Sequence, residues 1–302
     1  VVLQNLNSCY NKAPQPGRTY LLLLGSTNFH RQEFEKNVQD KELPIILSVF
    51  GSTKSTALYQ CLLDEVKERF DPHPVSLALT SRIVRDMEAK VRGKAHTAHL
   101  LPQNLTSLSR RGYRWALIQS VHLLAGHEFH RLVADSVSSP MRTCIGLPLL
   151  WSYEDYIIVA EELIELAKDY SDTGKEAMIF VGHGTDHAAW SSYLALEQMI
   201  RQKGIKRAWI GVIEGRPGVE DIAKEVRKAG LGKCVLVPLM LVAGLHVMED
   251  MEGNDNSWKA ILESHDITTK IIRKGLLGSK RIRHLFIKHI ADALKVIPEG
   301  RG

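Results

Sequence analysis

The strongest constraint on this chain is an alternation that begins after Pro44. Short apolar runs of strand length are each followed by a polar turn and a stretch of helical spacing. Residues 45–50 form such a run, closed by Gly51, Ser52 and Thr53, and residues 57–70 then repeat apolar side chains at helical intervals. Further runs at 75–79, 115–121 and 142–147 alternate with helix-like stretches at 83–91 and 156–168. The pattern restarts at 178–181 and continues through 208–213, 234–241 and 269–272, with a last helix over 281–296. Apolar strands separated by helices predict parallel sheets covered on both faces, an α/β protein in three layers.

The two halves echo one another. Val49-Phe50-Gly51-Ser52-Thr53 answers Phe180-Val181-Gly182-His183-Gly184-Thr185, and Leu123-Leu124-Ala125-Gly126 answers Leu241-Val242-Ala243-Gly244. A duplicated α/β unit is the expectation. It divides into an extension over 1–43, a first domain over 44–172 and a second over 173–302, the last helix packing back on the first domain. At 302 residues each domain is expected to hold its own core.

Composition narrows the function. With 44% hydrophobic and 24% charged residues the chain reads as globular, and a formal charge of +5 is too small and too evenly spread for nucleic acid. A small anionic ligand fits that balance equally well. Cys9, Cys61, Cys144 and Cys234 lie far apart without CxxC spacing, so buried free thiols are expected rather than a zinc knuckle or a disulfide framework. The apolar run at 20–24 is far below the ~18 residues of a membrane span, and no transmembrane segment is read. Leu6-Asn7-Ser8-Cys9 loosely matches a lipoprotein cleavage box, whose alternative is an ordinary surface cysteine.

In open parallel sheets ligands bind beyond the carboxyl ends of the strands, so polar residues there are the candidates for chemistry. His183, Glu214 and His246 each end a strand of the second half, at spacings of 31 and 32 residues, about one βα unit apiece. Two imidazoles and a carboxylate suit a borderline divalent ion such as Co, Fe, Ni or Zn. Any one histidine is more often a surface or hydrogen-bonded residue than a ligand. Three equivalent strand ends, each beside glycine (Gly182, Gly184, Gly215, Gly244) that lets a ligand approach the backbone, argue for a site.

In the first half, Gly126-His127-Glu128 holds the place of Gly244-Leu245-His246, which gives Glu128 two readings: a carboxylate facing the same cleft, or a solvated helix-start residue. Gly51-Ser52-Thr53 and Thr80-Ser81-Arg82 are strand-end turns able to hold carboxylates or phosphates, as is Arg216, although helix caps share that composition. Neither GxxxxGK[ST] nor GxGxxG follows any strand, and GxSxG is absent, so nucleotide and hydrolase readings fall away.

At these residues the sequence resembles the anaerobic sirohydrochlorin cobaltochelatases, which stand with ferrochelatase among the class II chelatases. The resemblance runs over about 44–294. It is carried by Phe180 to Thr185 with His187, by Pro238 to Gly244 with His246, by Asp250-Met251 through Gly253 to Ser257-Trp258, and by Gln119 to His122 with Gly126, Glu128, Phe129 and His130. It implies two tandem flavodoxin-like, or Rossmann-like, domains with the active site in the cleft between them. It further implies ATP-independent insertion of Co2+ or Fe2+ into sirohydrochlorin or a related tetrapyrrole, the metal being substrate and no nucleotide taking part. By position, His183 and His246 would be the paired histidines, Glu214 the third ligand and Glu128 the opposing carboxylate. Gly51, Ser52, Thr53, Thr80, Arg82 and Gly244 would meet the tetrapyrrole, and a homo-oligomer stays open.

Leu245, Glu249 and His127 depart from the family pattern, which has Asp, Asn and Glu there, so the ligands are kept while metal preference and rate are not fixed by the resemblance. The extension before Pro44 and Cys9 also allow an envelope protein that binds or demetallates haem, beside the cytoplasmic enzyme.

Overall fold

The structure, a computed structural model, describes residues 23–24, 42–51, 56–81, 86, 90, 99–171, 175–295 and 297. Strands β2 (Ile45–Val49), β3 (Val75–Leu79), β4 (Trp115–Val121) and β5 (Arg142–Gly146) pair in parallel in the order β5-β4-β2-β3. Strands β6 (Ala177–Gly184), β7 (Ala208–Glu214), β8 (Lys233–Pro238) and β9 (Thr268–Ile271) make a second parallel sheet in the order β7-β6-β8-β9. In each half the first strand lies between the second and third, and the fourth lies beyond the third. The winding is therefore the same twice, as the echoing segments predict. It also places a topological switch point between first and third strands, where ligand crevices open.

The expected strands all form, with ends moved by a residue or a few. The helix expected at 83–91 falls almost wholly outside the described residues. The extension is not separate from the fold: β1 (Leu23–Leu24) adds an antiparallel edge to the first sheet, Leu23 opposite Cys144 and Leu24 opposite Thr143. Two residues carry no period, so no alternation marks it.

Beyond a core private to each half, the structure holds one that the sequence reading did not expect, shared between the halves. Alternate residues of β6 and β8 point to opposite faces, as strand geometry requires. Ile179, Val181 and Leu236 join an outer core, whereas Met178, Phe180, Val235 and Val237 join an inner one. That inner core is shared: it also holds Leu47, Val49, Leu117 and Val121 of the first sheet, and side chains from α1 (Thr56–Arg69), α4 (Tyr153–Lys168), α5 (Ser191–Gln202) and α9 (Lys280–Leu294). Ile46, Ala116, Ile118 and Ile145 face the first half's own outer layer, with Phe129 and Leu132 of α3 (His127–Val137).

Helix α9 is the cross-brace. It packs on β4 and β5 although it follows the second sheet, and Phe286, Ile290 and Ala293 are fully buried. Its Arg283 pairs with Glu65 of α1 at 2.8 Å. His289 donates from Nδ1 to the Leu147 carbonyl at 3.0 Å and stands 3.2 Å through Nε2 from Asp155 Oδ1 of α4. Both residues of that pair are 2% exposed. A carbonyl only accepts, so Nδ1 is the donor there, and the other ring nitrogen faces the carboxylate. Burial alone would raise the Asp155 carboxyl; the His289 hydrogen bond and charge, with the Ser152 N–H and hydroxyl, bring it below the usual carboxylate range.

The expectation of buried thiols holds for Cys144 and Cys234 but not for Cys61, which is exposed on the outer face of α1. The other cysteine of the sequence, Cys9, lies outside the described residues, as does the stretch 6–9 around it. Among the described residues no helix is long and apolar enough to cross a membrane.

Candidate functional site

His183 is held near the end of β6 between two glycines that packing demands. A side chain on Gly182 would meet the Tyr193 ring at 2.5 Å, and one on Gly184 would run into the Glu214 carbonyl. Gly184 also has φ +95°, where residues with a Cβ are strained. Its N–H donates to the Tyr193 hydroxyl at 3.3 Å. Gly184 and Glu214 are register partners, and this close approach sets the two side chains side by side: His183 Nδ1 is 3.9 Å from Glu214 Oε2. Both are open to solvent, at 61% and 72% exposure, so a cation can reach them.

His246 is the second residue of α7 (Leu245–Glu252), which starts just beyond β8 with Gly244 as its N-cap. Its backbone therefore sits at the next strand end along the sheet, and its side chain is outside the described set. Among the described residues no group of three or more His, Cys, Asp or Glu side chains is gathered as a metal site.

Glu128 is the second residue of α3, N-capped by Gly126, the position that His246 occupies in the other half. One of its oxygens, Oε1, is 3.6 Å from Arg131, while Oε2 is buried and accepts no hydrogen bond. At the end of β4, His122 is buried with Nδ1 2.9 Å from the Ser120 hydroxyl and Nε2 unpartnered. Burial pushes this imidazole down to about 4, so it is neutral at physiological pH.

Among the turns, Gly51 follows β2 with φ +101°, a conformation that favours glycine. Thr80 is 4% exposed and commits its hydroxyl to the Val49 carbonyl. Ser52, Thr53 and Arg82 lie outside the described residues. Arg216 lines a cavity of about 370 Å³ beyond β7, together with Asp221, Asp250, Asn256 and Trp258.

Sequence reasoning missed one group. His127 Nε2 lies 2.6 Å from Asp186 Oδ1, joining the first half to the loop after His183. His187 meets His127 edge to face at 5.1 Å and His130 at 4.6 Å between ring centroids. Its Nδ1 accepts the Ala189 N–H at 3.1 Å. The available signal was the crowding of imidazoles into 122–130 and 183–187, which strand-end spacing alone did not use.

The family model described as cobalt chelatase (CbiK) matches residues 44–295. The sirohydrochlorin cobaltochelatase of Salmonella typhimurium is 32% identical over 201 residues, 65% of this chain and 75% of that protein. The sirohydrochlorin cobaltochelatase CbiKC of Nitratidesulfovibrio vulgaris is 30% identical over 267 residues, 84% of this chain and 92% of its own. Among solved structures, SirB from Bacillus subtilis with Fe3+ superposes with a TM-score of 0.59 at 15% identity, covering 83% of this chain and 96% of that one. SirB from Bacillus subtilis subspecies spizizenii, a sirohydrochlorin chelatase in complex with cobalt, gives 0.57 at 15% identity over 86% and 98%. At such identities the two structures establish the fold alone.

Proposed function

The chain belongs to the cobalt chelatase (CbiK) family, and from that premise we propose that it inserts a divalent metal, Co2+ foremost and Fe2+ as an alternative substrate, into sirohydrochlorin or a related tetrapyrrole. The reading rests on one observation above the rest: His183 and Glu214 stand 3.9 Å apart on adjoining strand ends, each open to solvent. In this proposal His246 completes the set from the following strand end. Two imidazoles and a carboxylate hold a first-row ion through N and O atoms, and the exposed position leaves coordination places for the macrocycle nitrogens.

Insertion exchanges M2+ for two pyrrole protons, so charge balances without a nucleotide. The protons need acceptors that are free at working pH. An imidazole released by the departing metal serves as one, and Glu128, with its buried unpartnered oxygen, serves as the other from the opposite half. Metal then approaches the ring from the second half, one proton passing to an imidazole there and the other to Glu128 of the first half.

The test is anaerobic mixing of purified protein with sirohydrochlorin and Co2+ or Fe2+, followed by absorbance, with haem in a parallel cuvette. Turnover above the uncatalysed rate, lost in His183→Ala with the fold intact, is the expected result. Stoichiometric haem binding without turnover would overturn the chelatase and favour a porphyrin carrier.

A further inference from the structure

We propose that His127, Asp186 and His187 form a clasp across the seam between the two halves and act as positioning residues for chelation. This rests on the chelatase reading above. In that reading the three metal ligands all belong to the second half, and Glu128 belongs to the first. Insertion requires both sets at fixed separation on either side of one flat macrocycle, and small misplacements of reacting groups are costly in rate.

The clasp joins the segments that carry these groups. His127 directly precedes Glu128 on the first turn of α3. Asp186 and His187 follow His183 in the loop that leaves β6. His127 and Asp186 meet at 2.6 Å, and the charge-assisted bond to His127 lowers the Asp186 carboxyl.

His187 is itself fixed. Its backbone N–H donates to the Thr185 hydroxyl at 3.1 Å, and its Nδ1 accepts from Ala189. With Nδ1 accepting, the neutral ring carries its proton on Nε2, and its edge-to-face contacts with His127 and His130 hold it against α3. Beyond His130 the aromatic contacts reach Phe129 at 6.2 Å, a ring anchored in the first half's core, which in turn meets the exposed Trp151 at 6.1 Å.

His127 and Asp186 are exposed, and an exposed pair shifts an equilibrium only a few-fold. The clasp therefore biases the spacing of two rims that α9 already braces, rather than holding the fold together.

The experiment uses the full chain and the variants His127→Ala, Asp186→Ala, the double variant and Asp186→Glu. Three readouts are taken: anaerobic sirohydrochlorin–Co2+ turnover, Co2+ affinity of the protein alone by calorimetry, and hydrogen exchange over residues 184–190. The expected result is about a fivefold fall in kcat/KM for each single variant, with no further fall in the double, since both remove one shared contact. Asp186→Glu recovers part of the loss. Exchange over 184–190 quickens in His127→Ala, while Co2+ affinity is unchanged because the ligands lie elsewhere. The proposal is overturned by single variants with wild-type turnover and exchange, by losses that multiply in the double variant, or by Co2+ affinity that falls in step with activity. A wild-type protein without turnover overturns the chelatase reading itself and the role given to the clasp with it, a result separable from the variant comparisons.

Discussion

Replacing His289 by leucine tests how the two halves are held together. The substitution keeps a similar volume in the shared core but removes both hydrogen bonds of the ring. Asp155 Oδ1 loses its buried partner at 3.2 Å, and the Leu147 carbonyl loses one of its two donors, keeping the Gln119 amide at 2.8 Å. Deleting one member of a buried pair leaves an uncompensated charge and costs about 3–5 kcal/mol. Asp155→Asn should cost less, about 1–2 kcal/mol, because the amide oxygen can still accept the Ser152 N–H now held at 2.9 Å.

The pH dependence has a definite sign. Asp155 is held below the usual carboxylate range in the folded protein, so its contribution is fully present above the unfolded value of about 3.9 and is lost as pH falls through the lower folded value. Wild-type stability should therefore fall more steeply than that of Asp155→Asn below about pH 4. Urea unfolding followed by circular dichroism, at neutral pH and again in acid, measures both effects. A His289→Leu variant within about 1 kcal/mol of wild type, or parallel acid slopes for wild type and Asp155→Asn, would refute the argument.

Gly184→Ala should cost at least about 2 kcal/mol, since it combines a positive φ with a collision at the Glu214 carbonyl. It should also weaken Co2+ binding by driving β6 and β7 apart; an alanine variant with wild-type unfolding and affinity would contradict both. Native alkylation followed by peptide mapping should label Cys61 but spare Cys144 and Cys234, whose thiols burial pushes up to about 12 and about 11. Label on Cys144 without denaturant would show that the shared core opens. Sirohydrochlorin, a polycarboxylate, should bind more weakly as salt rises, because strand-end cations such as Arg216 are screened over ~8 Å at physiological ionic strength; titrations that overlay at low and high salt would leave its acid groups without these partners.

What the chain reveals before folding depends on how local each signal is. The strands were legible because a parallel strand covered on both faces is apolar along nearly its whole length, as 177–181 is throughout and 45–49 is apart from Ser48. The glycines beside His183 stood out in the sequence as room for a ligand, and their place in the structure has a different reason, the close packing of Tyr193 and the Glu214 carbonyl at the end of β6. The candidate metal pair was legible through strand-end spacing. By contrast, His289 and Asp155 are 134 residues apart and His127 and Asp186 are 59 apart, and no periodicity links such partners. The merging of the inner cores was hidden for the same reason. An apolar face in the sequence shows that it is covered, not which half of the chain covers it.

The position of α9 also bears on how the protein is made. Synthesis delivers the amino-terminal half first, yet the face of β4 and β5 that meets Phe286, Ile290 and Ala293 is left bare until residues past 280 have emerged from the ribosome. For most of translation the nascent first half thus carries an apolar face without its cover, the kind of surface that recruits chaperones. Docking of α9 covers that face in one event, so a chain interrupted before Lys280 presents a sticky intermediate to quality control.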